Sequence, residues 1–308
     1  MTAMFTGRIV KALAGFYYVK RDTDGETYAC RAKGIFRKRN HSPLVGDVAD
    51  FVVTHEGDKE GNIEQLHERK SVLSRPTVAN VDLALVIFAL KDPKPTLHLL
   101  NRMLVVLEQA GLSVVLCFNK LDLAEDEEWE ALRGLYEPLG YPVLFTCAKQ
   151  EIGKDELLEY LSGHLATVVG PSGAGKSSLI NMLRGEAAME VGEVSDKIRR
   201  GKQTTRHVEL IEVTGSSGDV RRQESTFIVD TPGFSSLEFS DMEKEDLGLY
   251  FPEIRERTGG CKYASCSHIH EPVDTCAVQQ ALERGEIAAE RYESYRLFYE
   301  ELEQQKRY

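Results

Sequence analysis

Three patterns of apolar and polar positions follow one another along the 308 residues of the chain. Over residues 1–72, short alternating stretches are separated by glycine and aspartate turns, and Asp24-Gly25 between two such stretches is a hairpin signal. No helical periodicity accompanies them. Several short strands of this kind predict a small closed barrel like the OB-fold, an architecture that binds oligonucleotides.

The middle of the chain, residues 73–250, alternates between strand-like and helix-like patterns. Residues 81–90 and 113–118 are nearly continuous apolar runs, as expected of strands buried on both faces of a parallel sheet. Between them, residues 96–110 carry leucines and methionine at helical spacing, and Gly111 ends the helix. We therefore predict an α/β domain that binds its ligand at the carboxyl ends of the strands.

The last part, residues 251–308, begins with a short stretch rich in cysteine and histidine. The segment after it, 277–305, predicts one or two helices with many glutamates and arginines. This pattern indicates a small, mainly helical module. The sequence thus predicts a multidomain protein with boundaries at 72/73 and 250/251.

Composition limits the class of protein. Hydrophobic residues make up 42% and charged residues 28%, which is ordinary for a globular protein. The 38 lysines and arginines against 49 acidic residues give a net charge of −11, so the surface as a whole is unsuited to coating nucleic acid, although a local basic face is compatible with it. The longest apolar run, 83–90, is far shorter than the roughly 20 residues that span a bilayer. The N-terminus lacks the order of a signal peptide. We expect a cytoplasmic protein.

Residues 170–177 read Gly-Pro-Ser-Gly-Ala-Gly-Lys-Ser and match the phosphate-binding loop G-x-x-x-x-G-K-[ST]. A strand-like segment precedes the loop and a helical one follows it, so backbone N–H groups and the helix N-terminus can bind phosphate. Lys176 is expected to reach the β- and γ-phosphates and Ser177 to bind Mg²⁺. The predicted contacts are Gly170, Pro171, Ser172, Gly173, Ala174, Gly175, Lys176, Ser177 and Ser178.

Two further segments predict recognition of guanine. Asn119, Lys120 and Asp122 follow an apolar strand, and the Asp122 carboxylate can accept hydrogen bonds from the N1–H and amino group of guanine. Adenine has no such pair of donors, so this site discriminates against it. The alternative is an aspartate that merely caps a helix after a strand. Guanine recognition is favoured by a second segment after a strand, where a backbone N–H can reach the base oxygen. Its predicted contacts are Cys147, Ala148 and Lys149.

A third motif, Asp230-Thr-Pro-Gly233, also follows an apolar strand. Asp230 is expected to hold Mg²⁺ through water, and the Gly233 N–H to contact the γ-phosphate. A basic loop at 199–207 lies between it and the phosphate loop. A threonine there that binds Mg²⁺ only with the γ-phosphate present makes this loop a switch. Thr204 and Thr205 both fit, and Thr205 is favoured. The predicted catalytic residues are Lys176, Thr205 and Gly233.

The order of these motifs is permuted. In an ordinary small GTPase the phosphate loop precedes the guanine-recognising motif, whereas here 119–122 and 146–149 precede 170–177. With this order, and with the runs at 201–207 and 230–239, the chain resembles the circularly permuted GTPases of the RsgA (YjeQ) type over nearly its whole length. The resemblance implies a GTPase that is stimulated by the small (30S) ribosomal subunit, binds ribosomal RNA and acts as a late-stage checkpoint of subunit maturation. Similar proteins often carry histidine where this chain has Gln203.

The cysteine-rich stretch predicts one structural zinc ion. Three thiolates and one imidazole suit tetrahedral Zn²⁺, and the predicted ligands are Cys261, Cys266, His268 and Cys276. His270 is a competing ligand, and reduced thiols without metal are the other alternative. In the resembling family the last cysteine follows the histidine sooner, so this chain carries an apparent insertion of two residues. Glu271-Pro272 keeps the family's relation to His268 and favours that histidine.

Basic residues concentrate in the barrel and in the switch loop despite the acidic total. A charge run is ordinarily only a solvated surface, but the barrel context and the resemblance favour contact with RNA here. The predicted RNA-binding residues are Arg31, Lys33, Arg37, Lys38 and Arg39, and no acidic residue lies among them.

Hydrolysis is predicted to need a partner. Ras-type GTPases place a water-orienting glutamine directly after the glycine of the third motif, and here Phe234 occupies that position. We therefore expect slow hydrolysis by the free protein, which we also expect to be a monomer. The alternative function is a nucleotide-gated RNA-binding scaffold with incidental hydrolysis. A metabolic P-loop kinase is disfavoured because it has no use for Asn119 and Asp122 as guanine contacts.

Overall fold

The computed structural model describes residues 3–34, 36, 42–74, 77–124, 126–184, 208–213, 225–229, 239 and 242–305. Several predicted site residues lie outside the described residues: Arg37, Lys38, Arg39, Thr204, Thr205, Asp230, Gly233 and Phe234. The chain forms two compact units. One comprises Met1–Leu85, Ala148–Val169 and Lys176–Phe234, and the other comprises Val86–Cys147, Gly170–Gly175 and Ser235–Tyr308. The boundaries at 72/73 and 250/251 stay predictions.

The N-terminal strands form the predicted barrel. They are β1 (Met4–Leu13), β2 (Phe16–Arg21), β3 (Thr27–Ala32), β4 (Val48–His55) and β5 (Glu60–Leu66). The strand order is β1-β2-β3-β5-β4, and β1 closes the barrel because it pairs antiparallel with both β2 and β4. Between β3 and β5 the pairing is parallel. The prediction of a closed, OB-like barrel is confirmed.

Alternate side chains of these strands point into the barrel, which is what a period of two requires. The buried set is Ile9, Val19, Tyr28, Cys30, Ala49, Phe51 and Ile63. The β1–β2 hairpin turns through Ala14 and Gly15, which have φ of 51° and 84°, and two successive positive φ angles are typical of a type I′ turn. On the outside of the barrel, Lys11 forms an isolated antiparallel bridge and an ion pair with Glu209.

A short antiparallel hairpin of β6 (Val72–Ser74) and β7 (Thr77–Ala79) follows the barrel. The described residues then supply a six-stranded sheet with the order β10-β9-β8-β11-β13-β12. Its strands are β8 (Leu83–Ala89), β9 (Ser113–Asn119), β10 (Val143–Phe145), β11 (Leu165–Val169), β12 (Leu210–Val213) and β13 (Thr226–Val229).

The direction of these strands agrees with the predicted α/β architecture. Strand β10 runs parallel to β9, and β11 runs parallel to β13, while the edge strand β12 runs antiparallel to β13. Every residue of β8 and of β11 is buried, as expected of strands covered on both faces. The apolar run at 113–118 thus forms a strand with a parallel neighbour, and the run at 81–90 contains a strand that is buried on both faces, as predicted.

Helices connect the strands. They are α1 (Leu97–Gln109), α2 (Asp126–Tyr136), α3 (Lys154–Leu161) and α4 (Lys176–Arg184). The apolar face of α1 is buried through Leu100, Met103, Leu104 and Leu107, whose spacing of three or four residues repeats once per turn. Gly111, with φ of +68°, follows the end of the helix as predicted.

The C-terminal part is helical, as predicted. It contains the one-turn helix α5 (Pro252–Arg255), then α6 (Ala277–Glu283) and α7 (Ala289–Gln305). Its core packs α7 against α1, with Phe251 edge-on to Tyr295 at 5.4 Å between ring centroids. None of the helices in the described ranges combines the length and apolarity needed to cross a membrane.

Candidate functional site

Three loops emerge side by side at the carboxyl ends of neighbouring strands. The Leu90 N–H, just after β8, donates to the Asn119 carbonyl at 2.9 Å, and the Thr146 N–H, just after β10, donates to the Phe118 carbonyl at 2.9 Å. Ligands of open α/β sheets bind at this edge. The sequence-predicted segments 119–122 and 146–149 therefore meet there.

Asn119 joins these segments to the phosphate loop. Its side chain is only 3% exposed, and its Nδ2 donates to the Ala174 carbonyl at 3.1 Å. Its Oδ1 accepts a hydrogen bond from the fully buried Thr146 hydroxyl at 3.3 Å. One buried amide thus fixes the loop that precedes Lys176 to the segment that follows β10. A broken contact here leaves buried polar groups unpaired, which costs about 1–3 kcal/mol.

The glycines at both ends of the phosphate loop are required by space. A Cβ at Gly175 would lie 2.2 Å from Asn119 Nδ2, and a Cβ at Gly170 would lie 2.0 Å from the Ile87 carbonyl oxygen. Both residues also have positive φ, +90° and +147°, which side chains rarely permit. The loop backbone can therefore pack against the end of β8 and against Asn119 only because it lacks these side chains.

The first turn of α4 carries the residues expected to contact phosphate and magnesium. Lys176 begins the helix, and partial burial lowers the pKa of its ammonium from the ordinary lysine value. Ser177 and Ser178 are exposed in the same turn. The positive end of the helix dipole adds to this turn's preference for an anion. Of the predicted magnesium ligands, only Ser177 lies among the described residues.

Among the residues predicted to contact guanine, Asp122 and Cys147 contact each other. Asp122 lies in a one-turn helix at 121–123 and is exposed, and its Oδ1 accepts a hydrogen bond from the Cys147 thiol at 3.3 Å. Lys120 adopts φ of +66°, and its ammonium donates to the Asp92 carbonyl. The thiol holds one oxygen of the carboxylate and leaves the group open to a ligand. Ala148 is half-buried and Lys149 is exposed.

Two side-chain contacts at this site were not predicted from the sequence. Thr146 was not predicted as a site residue, although it is the hydroxyl partner of Asn119. Cys147 was predicted through its backbone, whereas the structure shows its side chain on Asp122. A buried threonine at the end of a strand is a weak signal, because most such hydroxyls simply bond to nearby backbone.

The four predicted zinc ligands lie together in the C-terminal part. The ligand atoms of Cys261, Cys266, His268 and Cys276 are all within 4.8 Å of one another. His268 Nδ1 lies 3.6 Å from both Cys261 Sγ and Cys276 Sγ, and these two sulfurs are 4.0 Å apart. His270 is exposed and stands outside this group. The structure therefore brings His268, not His270, to the cysteines.

These separations fit a tetrahedral zinc ion. Zn–S bonds of about 2.3 Å and Zn–N bonds of about 2.0–2.1 Å place two sulfurs about 3.8 Å apart and a sulfur about 3.6 Å from a nitrogen. Three thiolates and one imidazole are also a usual donor set for structural zinc, with no position left open for catalysis. The cluster can therefore hold zinc.

Hydrogen bonds connect the loop that carries His268 to α6 and α7. The His268 carbonyl accepts hydrogen bonds from Gln279 Nε2 at 2.7 Å and from the Tyr292 hydroxyl at 2.8 Å. Cys276 caps α6 by accepting the Gln279 N–H at 3.4 Å, and a helical turn at 273–275 leads into it. The longer spacing between His268 and Cys276 is thus accommodated without displacing the last cysteine from the cluster.

Of the predicted RNA-binding residues, Arg31 and Lys33 lie in the described part of the barrel. Arg31 is exposed and its guanidinium lies 4.7 Å from the centroid of the Phe16 ring. Lys33 is exposed and forms an ion pair with Glu64. Arg31 lies on β3 and Lys33 follows the last residue of that strand, and both line one cleft in the barrel wall.

Comparison with known proteins agrees with the motifs. Residues 6–63 match the RsgA N-terminal domain and residues 66–240 match the RsgA GTPase. A protein of Agathobacter rectalis, named small ribosomal subunit biogenesis GTPase RsgA, is 45% identical, over 98% of this chain and all of its own length. A Geobacillus protein of the same name is 42% identical over 98% of this chain and 99% of its own.

Solved structures show the same arrangement. YloQ, described as a circularly permuted GTPase, superposes with a TM-score of 0.80 at 35% identity, covering 98% of this chain and 96% of YloQ. YjeQ from Thermotoga maritima gives a TM-score of 0.80 at 33% identity, covering 97% and 99%. The resemblance deduced from the motif order is confirmed, and the chain belongs to the RsgA family of circularly permuted GTPases.

Proposed function

We propose that this protein hydrolyses GTP to GDP and phosphate on the small ribosomal subunit, as a late-stage checkpoint of subunit assembly that binds ribosomal RNA. The observation that carries the proposal is the contact of Asn119 with both Ala174 and Thr146, which joins a phosphate loop to guanine-recognising residues. The partner comes from the relatives, which are named small ribosomal subunit biogenesis GTPases.

Selection of guanine follows from the chemistry of Asp122. A carboxylate has only acceptor oxygens, so it matches the adjacent N1–H and amino donors of guanine and mismatches adenine. Cys147 donates to one oxygen of this group, which restricts its rotation. With fewer orientations available to the free carboxylate, less conformational entropy is lost when the base binds.

Phosphoryl transfer to water depends on positioning and on neutralising charge. Lys176 and the backbone N–H groups of residues 172–175 bind the phosphates, and Gly233 N–H contacts the γ-phosphate. Ser177, Thr205 and, through water, Asp230 would hold Mg²⁺, which would supply further positive charge. Phe234 can neither orient water nor stabilise charge, and the free enzyme is therefore slow. The small subunit is proposed to complete or order the site.

The flanking modules give the nucleotide a way to control binding. The third motif, which contacts the γ-phosphate, leads into the zinc module within about twenty residues, and the barrel directly precedes the first strand of the GTPase sheet. The state of the γ-phosphate can therefore bias both modules without a long relay. Zinc is structural in this proposal, and the protein acts as a monomer in the cytoplasm. The GTP form binds the subunit and the GDP form leaves it.

Turnover of GTP by the purified protein alone, with small subunits and with large subunits tests the proposal. We expect strong stimulation by small subunits only. A second assay compares the affinity of the small subunit for protein loaded with GDP or with a non-hydrolysable GTP analogue. Equal affinities, or equal stimulation by both subunits, contradict the checkpoint. A Thr205→Ala variant that still supports subunit maturation favours a scaffold with incidental hydrolysis instead.

A further inference from the structure

A cleft in the barrel wall has the size and lining of a site for one flat aromatic ligand. It has a volume of about 260 Å³, just below the roughly 300–1,000 Å³ of pockets that enclose drug-sized molecules. The β1–β2 turn, the end of β3 and the segment after it form its walls. The lining side chains that matter are Phe16, Tyr17, Arg31, Lys33, Phe36 and Pro43.

The floor of the cleft is a stacked pair. Phe16 and Arg31 are direct cross-strand partners on β2 and β3, and the guanidinium lies 4.7 Å from the ring centroid. A planar cation over an aromatic ring offers a further π-face to a ligand and keeps its positive charge beside it. An electron-rich aromatic ring carried on an anionic chain complements this pair.

A second aromatic wall comes from the segment after β3. The Phe36 N–H donates to the Lys33 carbonyl at 3.1 Å, a turn that folds the ring back towards the barrel. Phe36 and Tyr17 both pack partly on the barrel core while still lining the cleft. Their inner edges are therefore held in place, which preorganises the walls.

Charge selects the kind of ligand. Among the described residues that line the cleft, the charged ones are Arg31 and Lys33, and none is acidic. Glu64 contacts Lys33 from outside the lining set. Aromatic faces with a cationic rim are the combination by which barrels bind single strands of nucleic acid, because bases stack on the rings while the phosphates meet the cations.

We infer that this cleft binds one unpaired nucleobase of an RNA strand, stacked on aromatic side chains with its phosphates towards Arg31 and Lys33. The inference rests on the proposed function for its choice of RNA as the partner. It adds a specific mode of contact: recognition of an unstacked base by Phe16, Tyr17 and Phe36, rather than attraction of a duplex by surface charge alone.

The direct test measures binding of a fluorescent single-stranded RNA of twelve nucleotides to the full-length protein loaded with a non-hydrolysable GTP analogue. Phe36→Leu keeps the apolar volume and removes the π-face, and it is expected to weaken binding about 5- to 150-fold, the range of one lost base stack. Phe36→Tyr keeps the π-face and should bind like the original. Tyr160→Ala removes an exposed aromatic from α3 and is the matched control, expected to change nothing.

Unchanged binding by Phe36→Leu, with its thermal midpoint also unchanged, overturns the inference. So does an equal effect of this variant on the same RNA annealed to its complement, because a duplex offers no free base. If uridine monophosphate competes with an affinity equal to that of the RNA strand, the cleft binds free nucleotides instead, and the inference is overturned. If Phe36→Leu fails to fold, a 5-iodouridine strand that crosslinks to Tyr17 or Phe36 of the original protein decides the question, and absence of that crosslink overturns the inference.

Failure of the proposed function looks different. If small subunits stimulate GTP turnover but Phe36→Leu does not weaken binding of the strand, the proposed function is supported and the base-binding cleft is contradicted. If Phe36→Leu weakens binding of the strand but small subunits do not stimulate turnover, the base-binding cleft is supported and the checkpoint is contradicted.

Discussion

Arg291 and Glu253 form an ion pair that is buried on both sides. Arg291 Nε lies 2.7 Å from Glu253 Oε1, and the two side chains are 0% and 3% exposed. A second bond joins the guanidinium to the other carboxylate oxygen at 3.1 Å. The pair links α7 to α5, and Asn101 of α1 extends it by accepting from Arg291 at 2.9 Å and from the Tyr136 hydroxyl at 3.0 Å.

Replacement of Arg291 by alanine is expected to lower the free energy of unfolding by about 3–5 kcal/mol, because Glu253 is left as a buried charge without a partner. Urea unfolding followed by the fluorescence of Trp129 measures this change in free energy. Trp129 is the single tryptophan, and it lies in the same compact unit as Arg291 and Glu253. Arg296→Ala on the same helix breaks exposed ion pairs and should leave the transition in place. Equal shifts for both variants contradict a special role of the buried pair.

The zinc cluster predicts different outcomes for two neighbouring histidines. His268→Ala removes a ligand from the group of four and should abolish stoichiometric zinc and lower the thermal midpoint, since binding energy of a structural metal is also folding energy. His270→Ala changes an exposed residue outside the group and should retain one zinc per chain. Metal content of the purified variants decides between them. Loss of zinc from His270→Ala with retention in His268→Ala contradicts the assignment.

The barrel and the sheet could be predicted from sequence because burial dictates their patterns directly. Alternating apolar residues indicate a strand with one buried face, as in the barrel. The continuous apolar run of β8 indicates a strand that is buried on both faces. The phosphate loop could be recognised because only glycine fits at residues 170 and 175. In these elements the fold restricts the residue types at neighbouring positions, so the pattern can be recognised in a single sequence.

Contacts between residues that are far apart in the sequence produce no such local pattern. Over 277–305 the sequence predicted helices with many glutamates and arginines, without indicating which of these side chains are buried. Arg291 is fully buried and pairs with a residue 38 positions away. The Thr146–Asn119 bond likewise spans 27 positions. Whether a polar side chain is buried with a partner depends on which elements pack together, and residue type alone does not encode that.

The thiol of Cys147 is expected to contribute to nucleotide affinity through Asp122. Cys147→Ala removes the donor to Oδ1 and should weaken binding of GDP about 2- to 12-fold, the value of one hydrogen bond of about 0.5–1.5 kcal/mol. Cys147→Ser supplies a hydroxyl donor and should bind close to the original. Titration with a fluorescent GDP analogue measures all three proteins. Equal weakening by alanine and serine indicates a packing effect and contradicts the positioning role.

Asp122→Asn provides the sharpest test of guanine recognition. The amide replaces one acceptor oxygen with a donor, so it mismatches the amino group of guanine and matches the 2-oxo group of xanthine. Loss of a hydrogen bond to a charged group costs about 1.5–3 kcal/mol, so affinity for GTP should fall more than about tenfold while affinity for xanthosine triphosphate rises. Asp155→Asn, an exposed aspartate in the first turn of α3, is the matched control and should keep the preference for GTP. If Asp122→Asn binds GTP like the original, Asp122 merely lies in the short helix after the strand, and any preference of the site for guanine must come from other residues.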